Sequence, residues 1–320
     1  MKNRFLILLS FVLIVGRDVV CANTSMVRER ININRDWRYQ IDDPDGVGAA
    51  LHYSRLKPYL LPCANDFIIF GKRYQRPEGN PGENIAYVKS DFDDSEWRHL
   101  NLPHDWAIEG PFNIDYNGST GKLPYWGIRW YRKTLELSQD DAGKQIYLDI
   151  DGAMSYVSVW CNGQYVGGWP YGYASFRLDL TPYIKAGQKN VLAIRLDNPD
   201  DTSRWYPGSG IYRNVWLVKT SPVHVEQWGT FVRNQQVDSE IAVMEMGVNI
   251  ENHAGKDVQV KLQTSVYLQG KDGRPVGEEV TQSMTKDIAI KKDSWSSARF
   301  QFKVDKPKLW DIDTPNCYLF

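Results

Sequence analysis

The chain has little of what many catalytic or regulatory sequences carry. Four cysteines in 320 residues, spaced far apart, do not make a disulfide framework. Five histidines stand at no metal-ligand spacing, and Asp200-Asp201 lacks the ligand series of a calcium loop, so no metal is expected. Gly208-Ser209-Gly210 has no helix signal behind it and is not a phosphate cradle. No serine sits in a nucleophile-elbow sequence. His104-Asp105 has the chemistry of a base and its orienter, but neighbours on an extended chain point apart. With 38 basic residues against 39 acidic ones, nothing steers the chain to nucleic acid or to an anionic membrane surface. No cofactor is implied.

Long apolar runs are also missing, except at the start. Lys2 and Arg4 form a basic opening, Phe5 to Val15 is apolar apart from Ser10, and Val20-Cys21-Ala22 offers a cleavage site. This reads as a secretory signal peptide cut after Ala22, with a periplasmic or secreted product. The run is too short to span a bilayer. A lipoprotein route would acylate Cys21, but Val20 is bulky and Asp18 polar where that processing prefers small and aliphatic residues. Cleavage removes three basic residues and one acidic residue, leaving 35 against 38 and a net charge of −3. Of the cysteines, Cys63, Cys161 and Cys317 remain, and a Cys63–Cys161 bridge is compatible with an oxidising compartment.

What the chain does have is period-two alternation. Ile146, Leu148 and Ile150 share one strand face, Val157, Val159 and Cys161 another, and Asn162-Gly163 is a hairpin turn. Leu192, Ile194 and Leu196 alternate with Ala193, Arg195 and Asp197, and Ile211 to Val218 reads as a further strand. No sustained helical period appears in this region. Short strands divided by Gly, Pro and Asn turns predict an all-β fold whose first domain, residues 23–222, is a jelly-roll sandwich. Thr220-Ser221-Pro222 marks a boundary, because proline interrupts strand pairing. Residues 223–320 repeat the alternation over 240–251, 258–268 and 298–304, with a turn at 271–274, and predict an immunoglobulin-like sandwich. Residues 43–90 read as an irregular excursion with a short helix near 49–56. Trp37, Trp97, Trp160 and Trp216 suit core packing.

An ordered series of motifs carries more specific information. Arg35-Asp36-Trp37 is followed by FDDSEW at 92–97, LPHDWAIEGPF at 102–112, GIRWYRK at 127–133, Asp151-Gly152 and WCNG at 160–163. Asp197-Asn198, SRWYPGSGIYRNVW at 203–216 and KPKLWDIDTPNCYL at 306–319 complete it. Over nearly the whole mature chain except residues 43–90, this series resembles glycoside hydrolase family 2, the β-galactosidases, β-glucuronidases and β-mannosidases. The resemblance implies a sugar-binding jelly roll, an immunoglobulin-like sandwich and a (β/α)₈ barrel whose two glutamates perform a retaining double displacement. Both glutamates are expected beyond Phe320, so no residue here is assigned a catalytic role. Glu109 and Glu226 stand outside the family's barrel motifs.

Within that family, loops of the jelly roll help to shape the pocket for the terminal sugar. Matching carries substrate-binding roles to Asp197 and Asn198, to Arg204, and to Asp115 and Asn117 in the loop bracketed by Trp106, Trp126 and Trp130. Asp197 lies on the strand face opposite Leu192, Ile194 and Leu196 and is placed to accept bonds from hydroxyls. Its other reading is an Asx-type turn before Pro199. Arg204 could donate to a sugar or pair with Asp200 or Asp201. Trp205 and Tyr206 have the chemistry of a sugar-stacking pair. The strings HDWAIEGPF and SRWYPGSGIYR look more like the β-galactosidase branch, since the glucuronidase branch tends to place an acidic residue where Arg204 stands. The expected partner is thus a terminal β-galactoside. A free-standing carbohydrate-binding sandwich is the alternative, and a chain that stops inside a strand-like segment favours the partial enzyme. Nothing in the residues specifies an oligomeric state.

Overall fold

The computed structural model describes residues 28–68, 71–200 and 203–320, so the signal-peptide segment, Cys21 and Asp201 lie outside the described residues. Ten strands build the first sandwich: β1 (Arg28–Asn32), β2 (Trp37–Ile41), β3 (Arg98–Leu100), β4 (Gly127–Glu136), β5 (Gln145–Ile150), β6 (Val157–Cys161), β7 (Gln164–Trp169), β8 (Phe176–Asp179), β9 (Lys189–Asn198) and β10 (Val215–Thr220). They form two antiparallel sheets, ordered β1-β10-β5-β8 and β3-β2-β4-β9-β6-β7, in a jelly-roll sandwich. The strand expected over 211–218 begins only at Val215, because Ile211 to Asn214 serve the loop described below. Asn162 and Gly163 adopt φ of 52° and 80°, the two left-handed residues that a tight hairpin between β6 and β7 demands.

The alternation seen in the sequence packs the main core. Leu148 and Ile150 of one sheet face Val157, Val159, Ile194 and Leu196 of the other, all fully buried. Cys161 is a free buried thiol on this face, so Cys63 and Cys161 are not bridged. Trp216 departs from the core expectation. It lies half-buried on the outer face of its sheet, where the Arg30 guanidinium covers its ring at 3.8 Å and its indole N–H donates to Asp151.

Residues 43–68 and 71–97 are more ordered than an excursion. They lay a third layer on the outer face of the six-stranded sheet, burying Trp130, Trp160 and Ala193 beneath Leu51, Leu56 and Trp97. The helix is α1 (Tyr53–Leu60), four residues later than the sequence suggested. His52 is extended at ψ 141° and caps Ser54, which stops the preceding 3-10 turn at Leu51 and starts the helix after it. Two arginines sit on the covered face, and each meets a carboxylate of the cover. Arg195 makes two 2.8 Å bonds to Asp43, and Arg132 Nε donates to Asp94 at 2.7 Å. Trp130 Nε1 donates to the same Asp43 carboxylate at 2.8 Å.

The second sandwich holds β11 (Val223–Val237), β12 (Ile241–Asn252), β13 (Val258–Gln269), β14 (Pro275–Ile290), β15 (Ser294–Asp305) and β16 (Tyr318–Leu319). Its sheets, β11-β12-β15 and β14-β13-β16, enclose Met246, Val248, Phe300, Phe302, Val266 and Ile290 in an immunoglobulin-like core. Among the described residues no helix is long and apolar enough to cross a membrane.

A polar knot ties the two sandwiches together. His224 Nδ1 donates to the Ser221 carbonyl at 2.9 Å, and the Tyr147 hydroxyl of β5 lies 3.4 Å from His224 Nε2. Glu251 takes both His224 (3.4 Å) and His253 (3.2 Å) on one carboxylate oxygen. Bonds from His224 and then His253 hold the Glu251 carboxyl down to about 2, and Glu251 in turn raises the His253 imidazole. A depressed carboxyl stabilises the fold above its ordinary value of 4.5 and loses that contribution as pH falls toward 2. The raised imidazole stabilises below its ordinary 6.5 and loses its contribution as pH rises through the raised value. Urea titrations across this range are therefore expected to show Glu251→Gln removing on the order of 3 kcal/mol near neutrality, with less loss in acid. An unchanged pH profile in the variant would dissolve this account of the knot.

Candidate functional site: a wall of loops at one end of the jelly roll

Four connections converge beyond the ends of β3, β5, β7 and β9, and the backbone itself joins them. His104 N donates to Ile211 O at 2.9 Å and Trp106 N to Ser209 O at 3.0 Å, while Met154 and Gly210 exchange bonds of 2.9 and 3.1 Å. The loop after β9 is thus clamped between two others. Gly210 is required there. It has φ of 114°, and an added Cβ would stand 2.5 Å from His104 O and 2.7 Å from the Tyr131 hydroxyl.

Side chains complete the base of the wall. Asn198 is buried at the end of β9 and donates from Nδ2 to Tyr125 O (2.7 Å) and Gly208 O (3.2 Å), while its Oδ1 accepts from Ser155 Oγ (3.3 Å). Buried Ser209 donates to the same Tyr125 carbonyl at 2.8 Å. The Tyr206 hydroxyl reaches both oxygens of Asp105 at 2.6 Å, and burial followed by that carboxylate pushes its phenol far up, so it stays a donor at ordinary pH. Asp105 also accepts from Ala107 N at 3.1 Å.

His104 and Asp105 do point apart, each to its own partner. The Glu109 carboxylate only accepts, so His104 Nε2–H faces it at 3.2 Å and Nδ1 is left to accept from the Tyr131 hydroxyl at 2.8 Å. This assigns the neutral Nε2 tautomer, in keeping with the burial that lowers the imidazole. Arg98 then grips Glu109 with two 2.7 Å bonds. Glu109 is held below the ordinary carboxylate range, first by Arg98. It is a strut beneath the loop.

The rim above this base is apolar and open. Trp205, Tyr171, Phe112 and Ile114 are 58, 60, 74 and 78 % exposed. Trp205 is exposed yet held. Trp205 Nε1 donates to the Tyr173 hydroxyl at 2.9 Å, which donates onward to Pro207 O at 3.1 Å. Tyr116 packs on Trp126 at 4.7 Å, and Lys122 ties back to the Tyr116 carbonyl at 3.0 Å.

The residues carried over by resemblance occupy different depths of this wall. Arg204 and Asp115 are exposed on the rim. Asn117 caps the turn at 118–120, accepting from Ser119 N at 2.9 Å and Ser119 Oγ at 2.8 Å. Asn198 is enclosed in the base. Asp197 lies on the outer face, as its place in the alternation predicts, where Arg195 Nη1 stands 3.5 Å from it in a niche shared with Tyr53 and Tyr156. Asp200 accepts from the Tyr125 hydroxyl at 2.8 Å. Sequence reasoning missed Asp105, Ser209 and Tyr173 as organisers. Asp105 and Ser209 were signalled by their place in the motifs at 102–112 and 203–216, Tyr173 by none, and the bonds of all three run between segments up to 101 residues apart. Among the described residues, no group of three or more His, Cys, Asp or Glu could hold a metal ion.

With this geometry in view, comparison with known proteins is direct. Residues 86–221 match the glycosyl hydrolases family 2 sugar binding domain, and residues 223–320 match a second domain of glycosyl hydrolases family 2. A β-galactosidase of Bacteroides ovatus is 40 % identical over 303 residues, 93 % of this chain and 30 % of its own length. A putative β-glucuronidase of Formosa agariphila is 34 % identical, covering 78 % of this chain and 24 % of its own. The crystal structure of a family 2 member from Bacteroides cellulosilyticus superposes with a TM-score of 0.70 at 26 % identity, over 90 % of this chain and 32 % of that one. The chain thus spans about a third or less of the proteins it matches. Two family domains in tandem and a relative 40 % identical over 93 % of the chain identify the chain as a member of glycoside hydrolase family 2.

Proposed function

We propose that this chain supplies the sugar-binding and immunoglobulin-like sandwiches of an exported β-galactosidase, matured behind Ala22. In this reading the loop wall forms one side of the pocket for a terminal β-galactoside, and a barrel outside these residues brings the paired carboxylates. The observation that carries it is the contrast within the wall: a hydrogen-bonded base around Asn198 and Ser209 beneath an exposed aromatic rim of Trp205, Tyr171 and Phe112. Order of that kind at an open surface suits a pocket completed from the other side. Arg204 on the rim is the donor placed nearest the stacking surface in sequence, and the similarity to the Bacteroides ovatus β-galactosidase favours galactosides over glucuronides.

A terminal sugar held by one wall keeps most of its surface in water. Each hydrogen bond then nets about 1 kcal/mol, so the wall alone discriminates little. N-terminal sequencing of protein from the native host is expected to begin at Asn23, and isolated residues 23–320 are expected to hydrolyse no nitrophenyl β-galactoside, β-glucuronide or β-mannoside. Fused to the barrel of a family 2 β-galactosidase it is expected to act on the galactoside, with Arg204→Ala lowering kcat/KM about tenfold. Turnover by the unfused chain that survives repurification and is lost in Glu109→Gln or Glu226→Gln would overturn the proposal.

A further inference from the structure

Away from the loop wall, the outer face of the β11-β12-β15 sheet carries a second concavity at the seam between the sandwiches. Its shape begins with an irregularity. Pairing of β11 with β12 slips between Val225 and Thr230, so that residues 226–229 bulge out of the ladder opposite Asn249. Within the bulge Trp228 takes a φ of 54° and is 65 % exposed. A bulky residue in that conformation is strained, and bulges are a means of re-aiming a side chain. Gly229 makes the bulge possible, since an added Cβ would lie 2.8 Å from the Glu226 side chain and 3.0 Å from Asn249 O.

A second indole faces the same concavity. Trp295 is paired across from Glu251 in the β12–β15 register and is 62 % exposed. The concavity has two lobes, about 290 Å³ on the Trp228 side and about 540 Å³ on the Trp295 side, which share Glu226 and Glu251. Each lobe therefore offers one indole, with acceptors on the ridge between them. Glu226 is steadied by Asn249 Nδ2 at 3.0 Å and Glu251 by His253 Nε2 at 3.2 Å, which leaves further lone pairs for a ligand.

These are the elements of saccharide recognition: flat apolar faces for the C–H side of a ring, and fixed acceptors for its hydroxyls. Two indoles on either side of a polar ridge suit more than one ring. Charge narrows the class. In the larger lobe Glu226, Glu251 and Asp293 stand against Arg73 and His253, and in the smaller one Arg177 is taken up by two bonds of 2.6 and 2.8 Å to Asp149. An acidic glycan would meet excess negative charge. We propose that this seam cleft is a second carbohydrate site, independent of the loop wall, that binds a neutral oligosaccharide between Trp228 and Trp295.

The test is calorimetry of the chain with a neutral β-linked galactotetraose and with a tetraose of the same length carrying glucuronic acid. Millimolar or tighter binding of the neutral probe is expected, with the acidic one at least about tenfold weaker. Trp295→Ala and Glu226→Gln are each expected to weaken the neutral probe by about tenfold or more, because an exposed platform and a ridge acceptor are removed with little core lost. Thermal melts of both variants verify that they fold, and Trp205→Ala on the loop wall should leave this binding unchanged. No binding of the neutral probe, binding that Trp295→Ala leaves intact, equal binding of both probes, or loss in Trp205→Ala would each overturn the proposal. Hydrolytic activity of the barrel fusion does not enter these outcomes, so the two functional readings fail separately.

Discussion

Arg195→Ala is expected to lower the stability of the chain by about 3–5 kcal/mol in urea unfolding. The guanidinium is 4 % exposed and makes two 2.8 Å bonds to Asp43, while its third nitrogen reaches toward Leu51 O and Asp197. Removing it leaves Asp43, only 14 % exposed, held by the Trp130 indole N–H and without the cation that balanced it. The cost is that of an uncompensated buried charge, which exceeds the net worth of the pair itself. A companion variant separates these. Arg195→Met with Asp43→Asn removes both charges and is expected to recover much of the loss. A change below about 1 kcal/mol in Arg195→Ala would mean that the cover layer is not clamped through this pair.

Asn198→Asp is expected to be comparably severe, and its effect should depend on pH. The substitution keeps the shape but replaces a donor to Tyr125 O and Gly208 O by a carboxylate facing both carbonyls inside the base of the wall. A buried charge against two acceptors costs about 3 kcal/mol or more. Burial and the facing carbonyls would raise the folded-state value of the new carboxyl. The penalty is then small below its unfolded value and grows as pH rises through and above it. Thermal melts should therefore show variant and parent close together near pH 4 and far apart near pH 8, values chosen either side of a carboxyl titration. A constant gap across that range would remove the charge-based explanation and leave only a packing defect. If Asn198 instead touched the sugar alone, stability would hardly change.

Much of the fold was legible in the sequence, and the reason is period two. Leu192, Ile194 and Leu196 announce a face, and they occupy the core. The third layer was not legible, because Arg132 and Arg195 occupy the opposite positions and arginine in an alternating strand reads as solvent-facing. Burial of those guanidiniums depends on Asp94 and Asp43, partners that lie 38 and 152 residues away and leave no local mark. The site divides in the same manner. The motifs located the wall, but matching could not say that Asn198 is enclosed in its base or that Asp197 already faces Arg195. Those are properties of depth, and depth is set by which loops close over a residue.

The cover layer has a bearing on how the chain is made. Asp43 precedes its partner Arg195 by 152 residues, and Leu51 and Leu56 rest on Trp160 and Ala193 at the far side of the jelly roll. A growing polypeptide exposes these apolar cover residues before the strands that will receive them exist. Loop closure over that separation must wait for β9, so this layer completes late, when nearly the whole first domain is already present. On the export proposed above, with the chain crossing unfolded, that delay falls on the far side of the membrane, where all the strands arrive before the cover has to choose a surface.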